Sequence, residues 1–195
     1  MTVDAASANV PGQHDLGPTV ERFDELADAG LERFRGNAVL DRVFTTASHV
    51  GDFSLIWHMI NVVVGFHRRD LRRTVTFAAL IGLESLVVNQ GVKRLFRRTR
   101  PTTSGDDRLV VRRPRTSSFP SGHASSATFA AALLAPRTRQ PITALVYLAA
   151  VTVATSRAYV RIHHASDVVA GVVTGGLLAA MTRRVFRRLG RDDVR

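Results

Sequence analysis

A chain of 195 residues has room for one domain and for no second large one. Its 27 Lys and Arg against 16 Asp and Glu leave a formal net charge of +11, and with 0 cysteines both a disulfide framework and a thiolate metal site are excluded. The excess cation leaves nucleic acid, anionic headgroups and phosphate-bearing substrates open as partners, while a mean hydropathy close to zero means that a membrane assignment must rest on how the apolar residues cluster.

Met1 to about Gly17 is polar, contains Gly and Pro, and is expected to be disordered. Acids and prolines ahead of any apolar run argue against a cleavable signal peptide. From Pro18, apolar residues recur at Val20, Phe23, Ala27, Leu31 and Phe34 with charges between them, the spacing of an amphipathic helix lying on a surface. Val39, Leu40, Val43, Phe44 and Ala47 repeat the pattern. Apolar stretches follow at about Phe53–Phe66, Thr74–Val92, Phe119–Ala135, Ile142–Thr155 and Val168–Phe186. Several fall short of the ~20 residues that span a bilayer core, but arginines flank them: Arg68, Arg69, Arg72 and Arg73, then Arg137 and Arg139, then Arg183, Arg184, Arg187 and Arg188. Strand-like alternation is absent. The expected fold is an all-α, integral-membrane helical bundle of about five to six transmembrane helices preceded by an amphipathic helix. Its parts are an N-terminal segment 1–36, a membrane domain 37–188 and a short basic tail 189–195.

With five spans, the three arginine clusters share one side, which the positive-inside rule makes cytoplasmic. Three polar clusters share the other: Lys93, six residues, then Arg100-Pro101; Pro120-Ser121-Gly122-His123, opening a helix; and Ser156-Arg157, five residues, His163, three residues, Asp167. Lys93, Arg100 and Arg157 have no neighbouring acid in sequence, and together they can surround a dianionic phosphoryl group. Pro120-Ser121-Gly122 breaks the chain before an Ala/Ser-rich helix whose free N–H groups form an anion cradle, with His123 in its first turn. His163 and Asp167 are four apart, so on a helix they share a face. Asp167 then fixes the tautomer and leaves the other ring nitrogen of His163 as a nucleophile. His163 attacking phosphorus while His123 protonates the leaving oxygen makes an in-line displacement that needs no metal or other cofactor.

These three segments resemble the type 2 phosphatidic acid phosphatase family, whose pattern K-x6-RP, PSGH and SR-x5-H-x3-D is matched at every fixed position, in order. The resemblance, running from about Val39 to Arg188, implies a membrane lipid phosphatase. It also implies phosphate binding by Lys93, Arg100 and Arg157 assisted by Ser121, Gly122 and Ser156, with His123 as general acid, His163 as nucleophile and Asp167 as its orienting group. The family usually has six membrane helices, which would make Asn37–Asp52 a degenerate first one. The expected partners are the membrane and a phospholipid or polyprenyl phosphate substrate, with no nucleic acid; the oligomeric state is left open. Candidate substrates are a polyprenyl diphosphate, a polyprenyl-linked sugar phosphate, phosphatidic acid and phosphatidylglycerol phosphate.

The ordinary readings stand beside these. Arg94, Arg97, Arg98, Arg108, Arg112, Arg113 and Arg115 read as solvated charges or weak headgroup contacts. His163-His164 with Asp167 could be read as a metal cluster, but it lacks a clear further ligand, since His14, His49, His58 and His67 fall on other segments; His164 reads as lining the entrance. Glu84 reads as a carboxyl paired with a polar group on a neighbouring helix, Asn89 and Gln90 as interhelical contacts, Gly171 and Gly175 as a close-packing pair, and Trp57 and Tyr159 as markers of interface depth. The Thr102–Ser118 loop is a candidate lid. Two competing functions are a vanadium-dependent haloperoxidase, a soluble relative using the same pocket for vanadate, and a non-enzymatic Arg-rich membrane or nucleic-acid-binding protein, which explains the charge but not the placement of His123, His163 and Asp167.

Overall fold

The computed structural model describes residues 16–101, 109, 111 and 116–190. The first 15 residues, most of the Thr102–Ser118 loop with Arg108, Arg112, Arg113 and Arg115, and the tail from 191 lie outside the described residues. Every regular element among the described residues is helical, as expected. In chain order they are α1 (Pro18–Glu32), α2 (Ala38–Val50), α3 (Leu55–Arg68), α4 (Leu71–Leu86), α5 (Gly122–Leu134), α6 (Ile142–Tyr159) and α7 (Ala165–Arg188). A π-helical stretch, Val87–Gly91, and a 3-10 turn, Val92–Leu95, prolong α4.

The starts follow local chemistry. Asn37 caps α2 by accepting from Val39 N and Leu40 N at 3.1 and 3.2 Å, and the Asp70 side chain accepts from Arg73 N at 3.0 Å at the head of α4. Between α3 and α4 the chain reverses through Arg69, which holds a left-handed φ of 51°.

α5 is the central helix. Nine of its 13 residues are buried, and it packs against α7, α6 and α4. Small residues permit this. A Cβ on Gly171 would lie 2.4 Å from Ser121 O, and one on Gly175 would lie 2.2 Å from Ser125 O. The close-packing pair read from the sequence therefore brings the α7 backbone against the α5 backbone. Glu84 of α4 accepts from Ser126 Oγ at 2.8 Å and from Ser125 Oγ at 2.5 Å, which satisfies the buried carboxyl by a neighbouring helix as expected.

The outer faces are apolar. Val62, Val63 and Phe66 of α3, Val75 and Leu83 of α4, Leu145, Leu148 and Val151 of α6, and Val173, Leu177 and Met181 of α7 are all exposed, an arrangement suited to lipid rather than water. Among the described residues three helices, Leu71–Leu95, Ile142–Tyr159 and Ala165–Arg188, are long and apolar enough to cross a membrane. α3 and α5 have 14 and 13 residues, about 20 Å of helix against a hydrocarbon core of ~30 Å, so helix length alone does not supply a count of five or six.

Trp57 and Tyr159 are 0% exposed and mark no interface. Trp57 belongs to the core, and Tyr159 stacks on Phe44 at 4.3 Å while its hydroxyl donates to Asp41 Oδ1 at 2.6 Å and Phe34 O at 2.9 Å. Gln90 makes no interhelical bond and instead accepts from Arg94 at 2.8 Å, while Asn89 donates to Ser85 O at 2.9 Å within its own segment and packs its Oδ1 against Gly122 of α5, the interhelical contact expected. Arg98 is no solvated charge; it is 4% exposed and is central to the site.

Candidate active site

The loops divide by chemistry. At one end of the bundle Arg68 Nη2 donates to Arg137 O at 3.0 Å, and Arg183 donates to Ala132 O, so the arginine clusters read as one side do gather. The three motifs gather at the other end.

Ser121 caps α5, its Oγ accepting from Ala124 N at 3.4 Å, and its own N–H donates to Asp167 O at 2.9 Å. This last bond ties the PSGH turn to the head of α7. Gly122 and His123 then present N–H groups that no preceding helical turn can satisfy. A Cβ on Gly122 would come within 3.0 Å of Asn89 Oδ1, so glycine is what allows the turn to sit against α4.

Arg157 ends α6 and is 1% exposed. Its Nη1 donates to Ser48 Oγ and, at 3.4 Å, to Ser48 O, whereas Nε and Nη2 are buried without a partner among the described residues. Lys93 is 6% exposed. Lys93 and Arg100 act electrostatically on His163, and Arg157 and Lys93 act on His123, so each histidine has two of the three cations in its surroundings. Ser156 is buried, but its hydroxyl donates to Val153 O at 2.7 Å within its own helix and does not offer that proton to the cradle.

His163 and Asp167 do not share a helical face, because α7 begins only at Ala165. Asp167 is the third residue of α7 and reaches back to accept from His164 N at 2.9 Å, and this brings its Oδ2 to 3.5 Å from His163 Nδ1. Ser118 Oγ stands between them, donating to Asp167 Oδ2 and lying 3.4 Å from His163 Nδ1. The other carboxylate oxygen accepts from Arg98 Nη1 at 2.7 Å.

The tautomer of His163 follows from its other neighbour. Arg100 Nη1 lies 3.1 Å from Nε2 and also donates to Ile162 O at 2.9 Å. Guanidinium can only donate, so Nε2 carries a lone pair and the ring proton sits on Nδ1, toward Asp167 and Ser118. Burial pushes this imidazole well below its ordinary value; the hydrogen bond with Asp167 opposes that, and Arg100 and Lys93 reinforce it. The ring is therefore neutral at ordinary pH. His164 and His163 both line a cavity of about 620 Å³, together with Arg98, Arg100, Arg161 and the α1 residues Asp24 and Asp28.

Sequence reasoning missed five contributors. Arg98 links Asp167 to Asp24 of α1, whose Oδ2 accepts from Arg98 Nη2 at 2.7 Å and whose Oδ1 accepts from Ser166 N at 2.7 Å. Ser118 bridges His163 and Asp167, and Ser48 holds Arg157. Asp52, in the turn after α2, lies 3.0 Å from His123 Nε2. The one local signal was the position of Arg98 inside the six-residue gap between Lys93 and Arg100.

The PAP2 superfamily model matches residues 73–191. Decaprenylphosphoryl-5-phosphoribose phosphatase of Mycolicibacterium smegmatis is 35% identical over 127 residues, 64% of this chain and 67% of that protein. The protein of the same description from Mycobacterium tuberculosis is 31% identical over 156 residues, 76% of this chain and 85% of that protein. The crystal structure of a transmembrane PAP2 type phosphatidylglycerolphosphate phosphatase from Bacillus subtilis superposes with a TM-score of 0.69 at 24% identity, covering 91% of this chain and 90% of that one, a likeness of fold. With its three motifs meeting at one end of an apolar helical bundle, the chain belongs to the PAP2 superfamily and is a lipid phosphatase, a hydrolase of phosphoric esters.

Proposed function

We propose that this enzyme removes the terminal phosphate of a membrane lipid on the extracytoplasmic face, through a phosphohistidine at His163. The observation that carries the reading is Arg157, a buried guanidinium with two donors unspent. A buried cation in this state calls for an anion with several acceptor oxygens, and its electrostatic coupling to Lys93 and Arg100 supports a shared anion among the three.

The phosphoryl oxygens accept from Arg157, Lys93 and Arg100. Arg100 Nη1 thereby exchanges the His163 Nε2 lone pair for the substrate, and that lone pair then faces phosphorus. The Nε2–P bond forms as the P–O bond to the lipid breaks, and His123 gives its proton to the departing oxygen. Asp167 and Ser118 hold the Nδ1 proton and balance the charge on the ring. Water next attacks phosphorus, His123 takes its proton, and the N–P bond breaks to release phosphate.

Relatives described as phosphatases of decaprenylphosphoryl-5-phosphoribose make a polyprenyl-linked sugar phosphate the first substrate to test, ahead of polyprenyl diphosphate, phosphatidylglycerol phosphate and phosphatidic acid. Purified in detergent, the protein is expected to release phosphate fastest from the sugar phosphate, in the presence of chelator. Equal inactivity on all four lipids would sink the reading. The face follows from the arginine clusters gathered at the opposite end. A single cysteine at Glu25, exposed on α1 beside the site, is expected to react with an impermeant maleimide on intact cells; labelling only after lysis would reverse the orientation.

A further inference from the structure

The motifs account for His163 and its carboxylate but give His123 no partner. The chain before the family match supplies one. α2 ends at Val50, and Gly51 turns the backbone so closely beneath His123 that a Cβ there would lie 2.7 Å from its Cδ2 and 2.9 Å from Val153 Cγ1. Asp52 follows at once, and its Oδ1 meets His123 Nε2 at 3.0 Å. The next two residues, Phe53 and Ser54, are both held in the left-handed region, at φ 53° and 58°. Two consecutive non-glycine residues in that region are uncommon, and strain of this kind persists where the surrounding structure holds it. The carboxylate against the ring stands at the entrance to this strained turn.

We propose that Asp52 is the positioning residue of the general acid: it holds the Nε2 proton of His123, so that Nδ1 delivers a proton to the leaving oxygen and takes one from water in the second step. The inference rests on the phosphatase reading above. The proton count closes: His123 enters protonated on both nitrogens, gives the Nδ1 proton to the lipid oxygen while Nε2–H stays on Asp52, and regains a proton at Nδ1 from the attacking water. The charged groups facing His123 are Asp52 from this turn, Arg157 from α6 and Lys93 from the end of α4. Burial disfavours the protonated ring and the two cations add to that, and Asp52 is the group that opposes them. Asp52 is itself ionised: burial would raise its carboxyl, but His123, Arg157 and His49 together hold it below the ordinary range.

The test is Asp52→Asn in the full chain, with phosphatidic acid in mixed micelles and p-nitrophenyl phosphate as paired probes. Alkoxide is a poor leaving group and needs the proton; nitrophenolate does not. The variant is expected to lose about 10- to 100-fold in kcat on phosphatidic acid, with KM within about 2-fold, and to keep the pre-steady-state rate of nitrophenolate release from p-nitrophenyl phosphate, which reports the first step alone, within about 3-fold. Removing the anion makes His123 lose its proton sooner, so the alkaline limb of kcat moves toward acid by about one pH unit. The same displacement is expected for the His123 imidazole when histidine-labelled protein in detergent is titrated by NMR, which needs no turnover. Equal losses on both probes with an unmoved alkaline limb and an unmoved His123 titration would overturn the proposal. His163→Ala run on the same two probes tests the phosphatase reading separately, since it must lose both.

Discussion

Replacing His163 by Ala is expected to abolish phosphate release from every lipid tested, by at least about 10⁴-fold, because a missing nucleophile leaves only binding and electrostatic stabilisation behind. The variant should stay folded. His163 lies in the short connection between α6 and α7, and its ring is bonded to Arg100 and set near Asp167 and Ser118 rather than packed in the apolar core. Asp167 keeps Arg98, Ser118 and the His164 N–H without it. Phosphate release and a detergent size-exclusion profile, measured together, separate loss of chemistry from loss of fold; substantial activity in a folded variant would remove His163 from the mechanism. The same residue sets a pH signature in the wild type. His163 works as the neutral ring, and burial lowers its value, so the acid limb of kcat/KM should lie well below the ~6.5 of an ordinary imidazole. Stability has the matching sign. The unfolded chain protonates this imidazole at ordinary values while the folded chain resists, so the contribution is present above about pH 6.5 and is lost as pH falls toward the lowered folded value.

The parts of this site legible in the sequence are those whose chemistry demands fixed spacing within a segment. Lys93 with Arg100, Ser121 through His123, and Arg157 with His163 and Asp167 each sit on one short stretch, and the helices between them bring the stretches to one end. The parts that were not legible arrive from far away in the chain. Asp52 meets His123 across 71 residues, Asp24 meets Arg98 across 74, and Ser48 meets Arg157 across 109. All three come from α1, α2 and the turn after α2, whose local pattern reports only an amphipathic face. Periodicity also misplaced His163. Four residues from Asp167 suggested one helical face, but the backbone enters α7 at Ala165, and Asp167 reaches the ring by folding back over the helix start. Trp57 and Tyr159 failed for a related reason: amphipathic aromatics suit both an interface and a satisfied core, and only the partners of the Tyr159 hydroxyl decide between them.

Arg98→Gln is expected to cost both stability and activity, although Arg98 belongs to none of the three motifs. Its guanidinium is held between two carboxylates, Asp24 Oδ2 and Asp167 Oδ1, each at 2.7 Å, with side-chain exposures of 3%, 8% and 0%. Removing the cation leaves two buried carboxylates facing one gap, and breaking a buried pair in this way costs about 3–5 kcal/mol. Asp167 then loses the bond that fixes its plane against His163, for which a fall of about 100-fold in kcat/KM is expected. The pH profile distinguishes this from simple loosening. Arg98 draws on the Asp167 charge; without it that charge acts more strongly on His163, whose imidazole holds a proton more readily, and the acid limb of kcat/KM moves to higher pH. Adding Asp24→Asn to Arg98→Gln removes the repulsion and should restore much of the stability while leaving the limb displaced. Recovery of both by the double variant, or an acid limb that stays in place in the single one, would reduce Arg98 to a clasp for α1 with no bearing on the nucleophile.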